Sequence, residues 1–246
     1  MVVPVHFEHE VIAETLLRLE KSLSGTTEIL VVYDLDQDPT TDVVREGAGR
    51  WPRARLVQNS YGRGVLGAIK TGLNFSRGDL VLVFMADLSD EPEVIPAMLK
   101  LAAEGCDVVC GSRYISGGEQ VGAPRLKAFL SSAAGRSLHL LTRLPVHDAT
   151  NSFRLYSRDL LRSVRIESTG GFEIGLELTV KAYLQRRRLG EVPTTWRERD
   201  SGESKFNFRK WLPSYMRWYF YLLARAPFGI RFRTLPRVAL EPPGQG

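Results

Sequence analysis

Short apolar runs alternate along this chain with longer segments of helical period, and few architectures accept that alternation. Val2–Val5, Glu28–Tyr33, Ala54–Gln58, Asp79–Met85 and Asp107–Cys110 read as strands, being too short for core helices and apolar enough to be covered on both faces. Between them Ile12, Leu16, Leu19 and Leu23 fall on one helical face, and Val65–Phe75 and Pro92–Ala103 are helical in character. Repetition of strand, helix and strand predicts an α/β fold, a mostly parallel central sheet with helices on both faces. Ligands of such sheets bind beyond the carboxyl ends of the strands, so chemistry is sought there.

After Tyr114 the pattern changes to a glycine-rich link, Ser116-Gly117-Gly118, and a long helical segment from Arg125 to Thr142. A strand near Ser152–Tyr156, a helix near Phe172–Leu184 and a strand near Gly190–Trp196 follow. With 43% hydrophobic and 25% charged residues in 246, the chain can bury a sizeable core, and disordered, collagenous and coiled-coil classes are excluded. Cys106 and Cys110, four steps apart in a strand, would stand about 13 Å apart, beyond the ~7 Å that a disulfide bridges. A reducing, cytoplasmic setting is expected, with no signal peptide, since Met1–Val5 runs into His6-Phe7-Glu8 without a basic start or a long apolar core.

The net charge of +5 is unevenly spread. Lys205–Leu240 carries eight basic residues and no acid, which leaves the remainder at 5 minus 8, or −3. That points to an anionic surface or a phosphate partner rather than to a basic enzyme overall, and no nucleic-acid partner is expected. Phe206–Phe228 adds aromatic groups among these cations, as an amphipathic helical segment lying on a membrane surface would; the competing reading packs them onto the domain. Its longest uncharged tract, Trp218–Ala224, is seven residues, and a span needs roughly 20. Peripheral attachment is therefore expected rather than a crossing.

The strand ends are polar. Asp87 and Asp90 follow the strand Leu80–Met85 and could hold a hard divalent cation, Mg2+ or Mn2+, that neutralises a diphosphate; alternatively Asp90 or Ser89 caps the helix near Pro92. Asp34, Asp36 and Asp38 have calcium-loop spacing but lack its Gly and terminal Glu, so one carboxylate bonding a nucleobase or ribose is favoured. Gly62-Arg63-Gly64-Val65-Leu66-Gly67 is a literal GxGxxG, yet Asn59, Ser60 and Tyr61 separate it from its strand, which argues against a nicotinamide fingerprint. His6, His9, His139 and His147 form no metal-ligand pattern. Arg197, Arg199, Gly202, Ser204 and Lys205 make a small-residue basic loop suited to closing on phosphate, against the alternative of a solvated charged turn.

As an ordered set these pieces resemble family-2 glycosyltransferases of the GT-A fold, and most of all the dolichyl- and polyprenyl-phosphate mannose synthases, over roughly residues 2 to 220. Val3-Pro4-Val5-His6-Phe7-Glu8 stands at the family's V-P-x-Y-N-E, Val32-Tyr33-Asp34 at V-D-D, and Met85-Ala86-Asp87-Leu88-Ser89 at D-A-D-L-Q. Gly111-Ser112-Arg113-Tyr114, Asp148-Ala149-Thr150-Asn151-Ser152-Phe153-Arg154, Glu191-Val192-Pro193 and Arg199-x-x-Gly202-x-Ser204-Lys205 complete it. Met85 replaces the first Asp of D-A-D, and Asp90 offers a compensating carboxylate.

The resemblance implies an inverting glycosyltransferase that moves a hexosyl group, mannosyl from GDP-mannose, onto polyprenyl phosphate. A UDP-sugar-dependent transferase to a lipid phosphate or glycan, and a catalytically weak nucleotide-sugar-binding protein, are the alternatives. It implies a transferase domain over 1–205 and a basic aromatic tail over 206–246. Pro4, Glu8 and Asp34 would line the nucleotide pocket, and Asp87 with Asp90 would hold the metal. Arg113, Lys127, Ser131, Arg199 and Lys205 would receive the acceptor phosphate, with Asp87, Arg113, Arg199 and Lys205 carrying catalysis. A membrane protein is a further expected partner.

Overall fold

The computed structural model describes residues 1–198 and 208–226, apart from the side chains of Arg125, Lys127 and residues 208–210. Its strands are β1 (Val2–Pro4), β2 (Ile29–Tyr33), β3 (Ala54–Gln58), β4 (Leu80–Val83), β5 (Val108–Ser112), β6 (Glu119–Val121), β7 (Arg154–Ser157), β8 (Leu189–Pro193) and β9 (Thr195–Arg197). Its helices are α1 (Ile12–Ser22), α2 (Thr40–Glu46), α3 (Val65–Phe75), α4 (Ile95–Ala103), α5 (Arg125–Thr142), α6 (Arg158–Ser163), α7 (Ile174–Leu184) and α8 (Phe208–Arg225). A seven-stranded sheet in the order β3-β2-β1-β4-β7-β5-β8 forms the centre, and β6 pairs with β9 beside it.

Strand residues alternate between two cores, as a period of two requires. Val3, Val31, Leu82 and Val109 meet Ile12, Leu16 and Leu19 of α1 and Met98 of α4 on one face. Val2, Leu30, Val83 and Val108 meet α3, α7 and α8 on the other. Helix α3 lies so close to β1 that a Cβ on Gly72 would stand 2.1 Å from a Val2 methyl, so only glycine fits there.

The sheet is mostly parallel, as expected, with one exception. Strand β7 runs antiparallel to both β4 and β5. The reversal carries the loop before β7 to the edge where β1, β2, β4 and β5 end. The strand expected over Gly190–Trp196 is two strands in different sheets, because the backbone changes partners at Thr194. Its N–H donates to the Ser112 carbonyl at 3.0 Å, and its own carbonyl accepts from the Glu119 N–H at 3.1 Å. The short elements α2, α6 and β6 had no periodicity to announce them.

Helix α8 packs part of the aromatic segment onto the domain. Trp218 and Leu222 are fully buried in the core shared with α7, and Tyr219 shares a 2.8 Å hydroxyl contact with Ser137 of α5. These side chains pack on the domain because the rows they occupy on α8 face α7 and α5. Leu212 and Phe220 of α8 stay exposed, and a larger exposed apolar surface lies on α5, where Leu126, Phe129 and Leu140 are 71%, 68% and 76% exposed and Leu141 is exposed with them. No described helix is long and apolar enough to cross a membrane.

Candidate active site

The ends of β1, β2, β4 and β5 and the loop before β7 surround one cleft of about 1090 Å³. It lies at the topological switch, where β1 has β2 on one side and β4 on the other. Pro4, Glu8, Asp34, Asp87, Asp90, Arg113 and Ser131 all line it, so residues spread over more than half of the chain converge. The cleft continues into an apolar gallery of Leu130 and Ala134 from α5, Phe172 and Leu176 around α7, and Trp211, Tyr215 and Tyr219 from α8.

Asp34, one residue past β2, is anchored on both oxygens. Asn59 Nδ2 donates to Oδ1 at 2.7 Å and the Gly64 N–H to Oδ2 at 2.8 Å. Asn59 in turn donates to the Gly62 carbonyl at 2.8 Å and accepts from the Tyr61 N–H at 3.0 Å. The glycine motif is thus a tight loop fastened to Asp34. Gly62 and Gly64 adopt φ of +90° and +106°, conformations that favour glycine. Arg63, between them, is exposed and lines the cleft; read as a cofactor fingerprint, the motif gives this cation no role. Asp38 is structural: its carboxylate accepts the Phe7 and Thr40 N–H groups at 2.8 and 2.9 Å.

Asp87 lies at the cleft wall beyond β4 and accepts the Ser89 N–H at 3.2 Å. Asp90 is buried and does not cap the helix near Pro92, whose first turn has no side-chain cap. It accepts instead from Asn151 Nδ2 at 3.2 Å. Burial, then the neighbouring Asp87 charge, pushes the Asp90 carboxyl up to about 7, against the Asn151 hydrogen bond and the Arg113 charge. Beside it the Ser89 hydroxyl is buried with no hydrogen-bond partner among the described residues. Two crowded carboxylates and an unsatisfied oxygen fit a hard divalent cation. Among the described residues no cluster of three or more His, Cys, Asp or Glu forms a protein-only cage, and Mg2+-type sites typically need only one or two carboxylates plus substrate phosphate. Strand β9 is tied to this turn, since the Arg197 N–H donates to the Ser89 carbonyl at 2.9 Å and the Thr195 N–H to Glu91 at 3.3 Å.

Arg113, just past β5, has its charge already matched. Asp148 accepts from its Nε at 2.7 Å and from its Nη2 at 2.9 Å, and Nη2 also reaches Thr150 Oγ1 at 2.8 Å and Ser131 Oγ at 3.3 Å. The pair is secluded, at 8% and 0% side-chain exposure. Burial alone would raise the Asp148 carboxyl, but the Arg113 charge and hydrogen bonds outweigh it and hold it below the usual carboxylate value. Tyr114 Oη donates to Ser131 at 2.8 Å, which completes a polar floor. The sequence motif contains Asp148, Thr150 and Asn151 but by itself gives them no role. Their roles depend on the reversal of β7, which local sequence does not announce.

Lys127 falls within α5, its side chain outside the described atoms. Arg199 and Lys205 lie outside the described residues.

The chain is similar to known proteins in sequence and in fold. The chain is 33% identical over 213 residues to an undecaprenyl-phosphate mannosyltransferase of Micrococcus luteus, covering 84% of this chain and 86% of that protein. It is 29% identical over 228 residues to a dolichol-phosphate mannosyltransferase of Pyrococcus furiosus, covering 89% of this chain but 63% of the longer relative. Among solved structures, glucosyl-3-phosphoglycerate synthase of Mycobacterium tuberculosis, in complex with Mn2+, UDP-glucose and phosphoglyceric acid, superposes with a TM-score of 0.70 at 17% identity, covering 91% of this chain and 78% of that one. That likeness is one of fold, and the architecture is GT-A-like. The model of glycosyl transferase family 2 matches residues 1–165, from β1 through the cleft and past β7, and with these relatives it establishes that the chain belongs to that family.

Proposed function

We propose that this chain transfers a hexosyl group, mannosyl from GDP-mannose, to a polyprenyl phosphate at a membrane surface. The observation that carries the reading is the shape of the cleft: an acidic end at Glu8, Asp34, Asp87 and Asp90 opens into the apolar gallery between α5 and α8. A nucleotide-sugar suits the first, and the gallery suits an isoprenoid better than a small polar acceptor. The names of the Micrococcus and Pyrococcus relatives support the same acceptor class.

In this reading Pro4, Glu8 and Asp34 bind the nucleoside, and Asp34 also holds the Gly62–Gly64 loop against it. Asp87, with Asp90 behind it, would hold Mg2+ or Mn2+. That cation would offset charge on the donor diphosphate as it leaves. The acceptor phosphate is an anionic nucleophile near neutral pH, its second pKa being roughly 6, so no strong base is needed and one displacement inverts the anomeric centre. Arg113 keeps Ser131 and Thr150 aligned at the polar floor rather than forming a free phosphate clamp, and Lys127, Arg199 and Lys205 are the acceptor-phosphate cations. The apolar row on α5 rests on the lipid surface, and α8 backs it.

The test is transfer of labelled sugar from GDP-mannose or UDP-glucose to polyprenyl phosphate in detergent, with Mg2+, Mn2+ or chelator. Labelled mannosyl lipid formed only with metal is the expected product. Transfer from UDP-glucose alone would replace the donor, and no metal-dependent transfer to the lipid phosphate from either donor would sink the reading.

A further inference from the structure

We infer that Glu191 is a positioning residue for the polar floor of the cleft, acting on Arg113 and Asp90 through the loop 147–151. The inference concerns the same site and rests on the reading of that cleft as catalytic. Glu191 sits on β8, in register with Cys110 of β5, and its carboxylate does not line the cleft. Its three hydrogen bonds among the described residues all go to the loop. Oε1 accepts the backbone N–H groups of His147 and Asp148 at 2.7 and 3.1 Å, and Oε2 accepts Nδ1–H of His147 at 2.8 Å.

From there the contacts run directly to the site. Fixing the 147–148 peptide fixes Asp148, whose carboxylate holds Arg113 at Nε and Nη2 and also accepts the Thr150 and Asn151 N–H groups at 3.2 and 3.1 Å. Asn151 then donates to Asp90 Oδ1 at 3.2 Å. One carboxylate on an edge strand thereby sets two groups that face the cleft on opposite sides of β7. The outer end of the chain of contacts is clamped as well. His139 stacks on His147 with ring centroids 4.0 Å apart, and its own Nδ1–H is taken by the Leu144 carbonyl at 2.7 Å. Reach matters here more than charge, since two of the three donors are neutral backbone amides that any carbonyl-type oxygen at the same point would satisfy.

Glu191→Gln keeps an oxygen at that point, whereas Glu191→Asp keeps the charge and withdraws it by one methylene. The full chain is labelled with 15N-arginine, and the Arg113 Nε–H signal is assigned by its loss in Arg113→Lys. Exchange of that proton with water and the Mn2+ concentration needed for half-maximal binding of GDP or UDP are then measured in each variant. Expected is a slowly exchanging Arg113 signal and a near-wild-type Mn2+ requirement in Glu191→Gln. In Glu191→Asp, fast exchange should accompany a Mn2+ requirement raised by about 10-fold or more, as for other outer-shell supports of a metal site. Unchanged exchange and Mn2+ requirement in Glu191→Asp, or loss of both in Glu191→Gln alone, would overturn the positioning role. Absence of nucleotide binding by the wild-type chain would instead strike the proposed function, while the Arg113 signal would still decide the role of Glu191.

Discussion

Asn151 donates one side-chain amide to two acceptors, Asp90 Oδ1 and the Gly111 carbonyl oxygen, each at 3.2 Å, and so bolts the acidic turn after β4 to the end of β5. Asp90 is held as a buried member of a pair whose other member, Asp87, lies at the cleft wall. Asp87→Ala is expected to abolish metal-dependent nucleotide binding with the melting temperature nearly unchanged, as calorimetry with GDP or UDP and Mn2+ would record.

Asp90 should also leave a signature in the stability of the metal-free chain. Its folded value near 7 exceeds the ~3.9 of an unfolded aspartate, so between those values the folded state binds more protons than the unfolded one. Asp90 therefore favours the fold most below the unfolded value, and that contribution declines as pH rises to about 7. In chelator, Asp90→Asn should lose less melting temperature than wild type between pH 5 and pH 8. Equal losses would remove Asp90 as the source.

Arg113 and Asp148 predict the opposite sign. The Asp148 carboxyl is held below its ordinary value, so its contribution is present above the unfolded value of ~3.9 and disappears as pH falls through the folded one. Arg113→Met would strand a buried carboxylate and should cost about 3–5 kcal/mol in chemical denaturation, with the acid end of the stability profile flattened. A variant as stable as wild type but unable to use acceptor would return Arg113 to a direct phosphate contact.

Much of this site was legible because strand ends are written locally. Asp34, Asp87 and Arg113 each follow an apolar run, and a parallel sheet gathers such residues by itself. What was not legible is what those residues touch. Nothing near Arg113 says that its partner is 35 positions away at Asp148, since the pairing needs β7 inserted in reverse between β4 and β5. Nor do the aromatic residues of α8 declare which row meets α7, because Trp218 and Leu222 are in composition as suited to a bilayer boundary as to a core. Leu126, Phe129 and Leu140, by contrast, read as ordinary helix residues until the fold leaves them uncovered.

Arg63 stands on a loop whose conformation is set by Gly62, Gly64 and the Asn59–Asp34 contact, and it lines the cleft beside Asp34. A cation held there should meet the nucleotide. Arg63→Ala is expected to raise the donor KM roughly 10- to 100-fold, equivalent to about 1.5–3 kcal/mol for a charged hydrogen bond, with the acceptor KM unchanged. A change confined to the acceptor would turn this loop toward the lipid phosphate.

The two helices at the mouth of the apolar gallery should respond differently to substitution. Removing everything from Phe206 onward would strip Trp218 and Leu222 from the core, so truncation would report folding rather than membrane affinity. Trp218→Ala should accordingly destabilise the chain by about 3–5 kcal/mol. Leu126→Glu with Phe129→Glu changes side chains already in solvent and should leave stability within about 0.5 kcal/mol. If α5 rests on the lipid, each lost apolar side chain removes up to about 1.5–3 kcal/mol of burial, and sedimentation with anionic liposomes should fall by at least about tenfold. Undiminished sedimentation of the double variant would take α5 off the membrane.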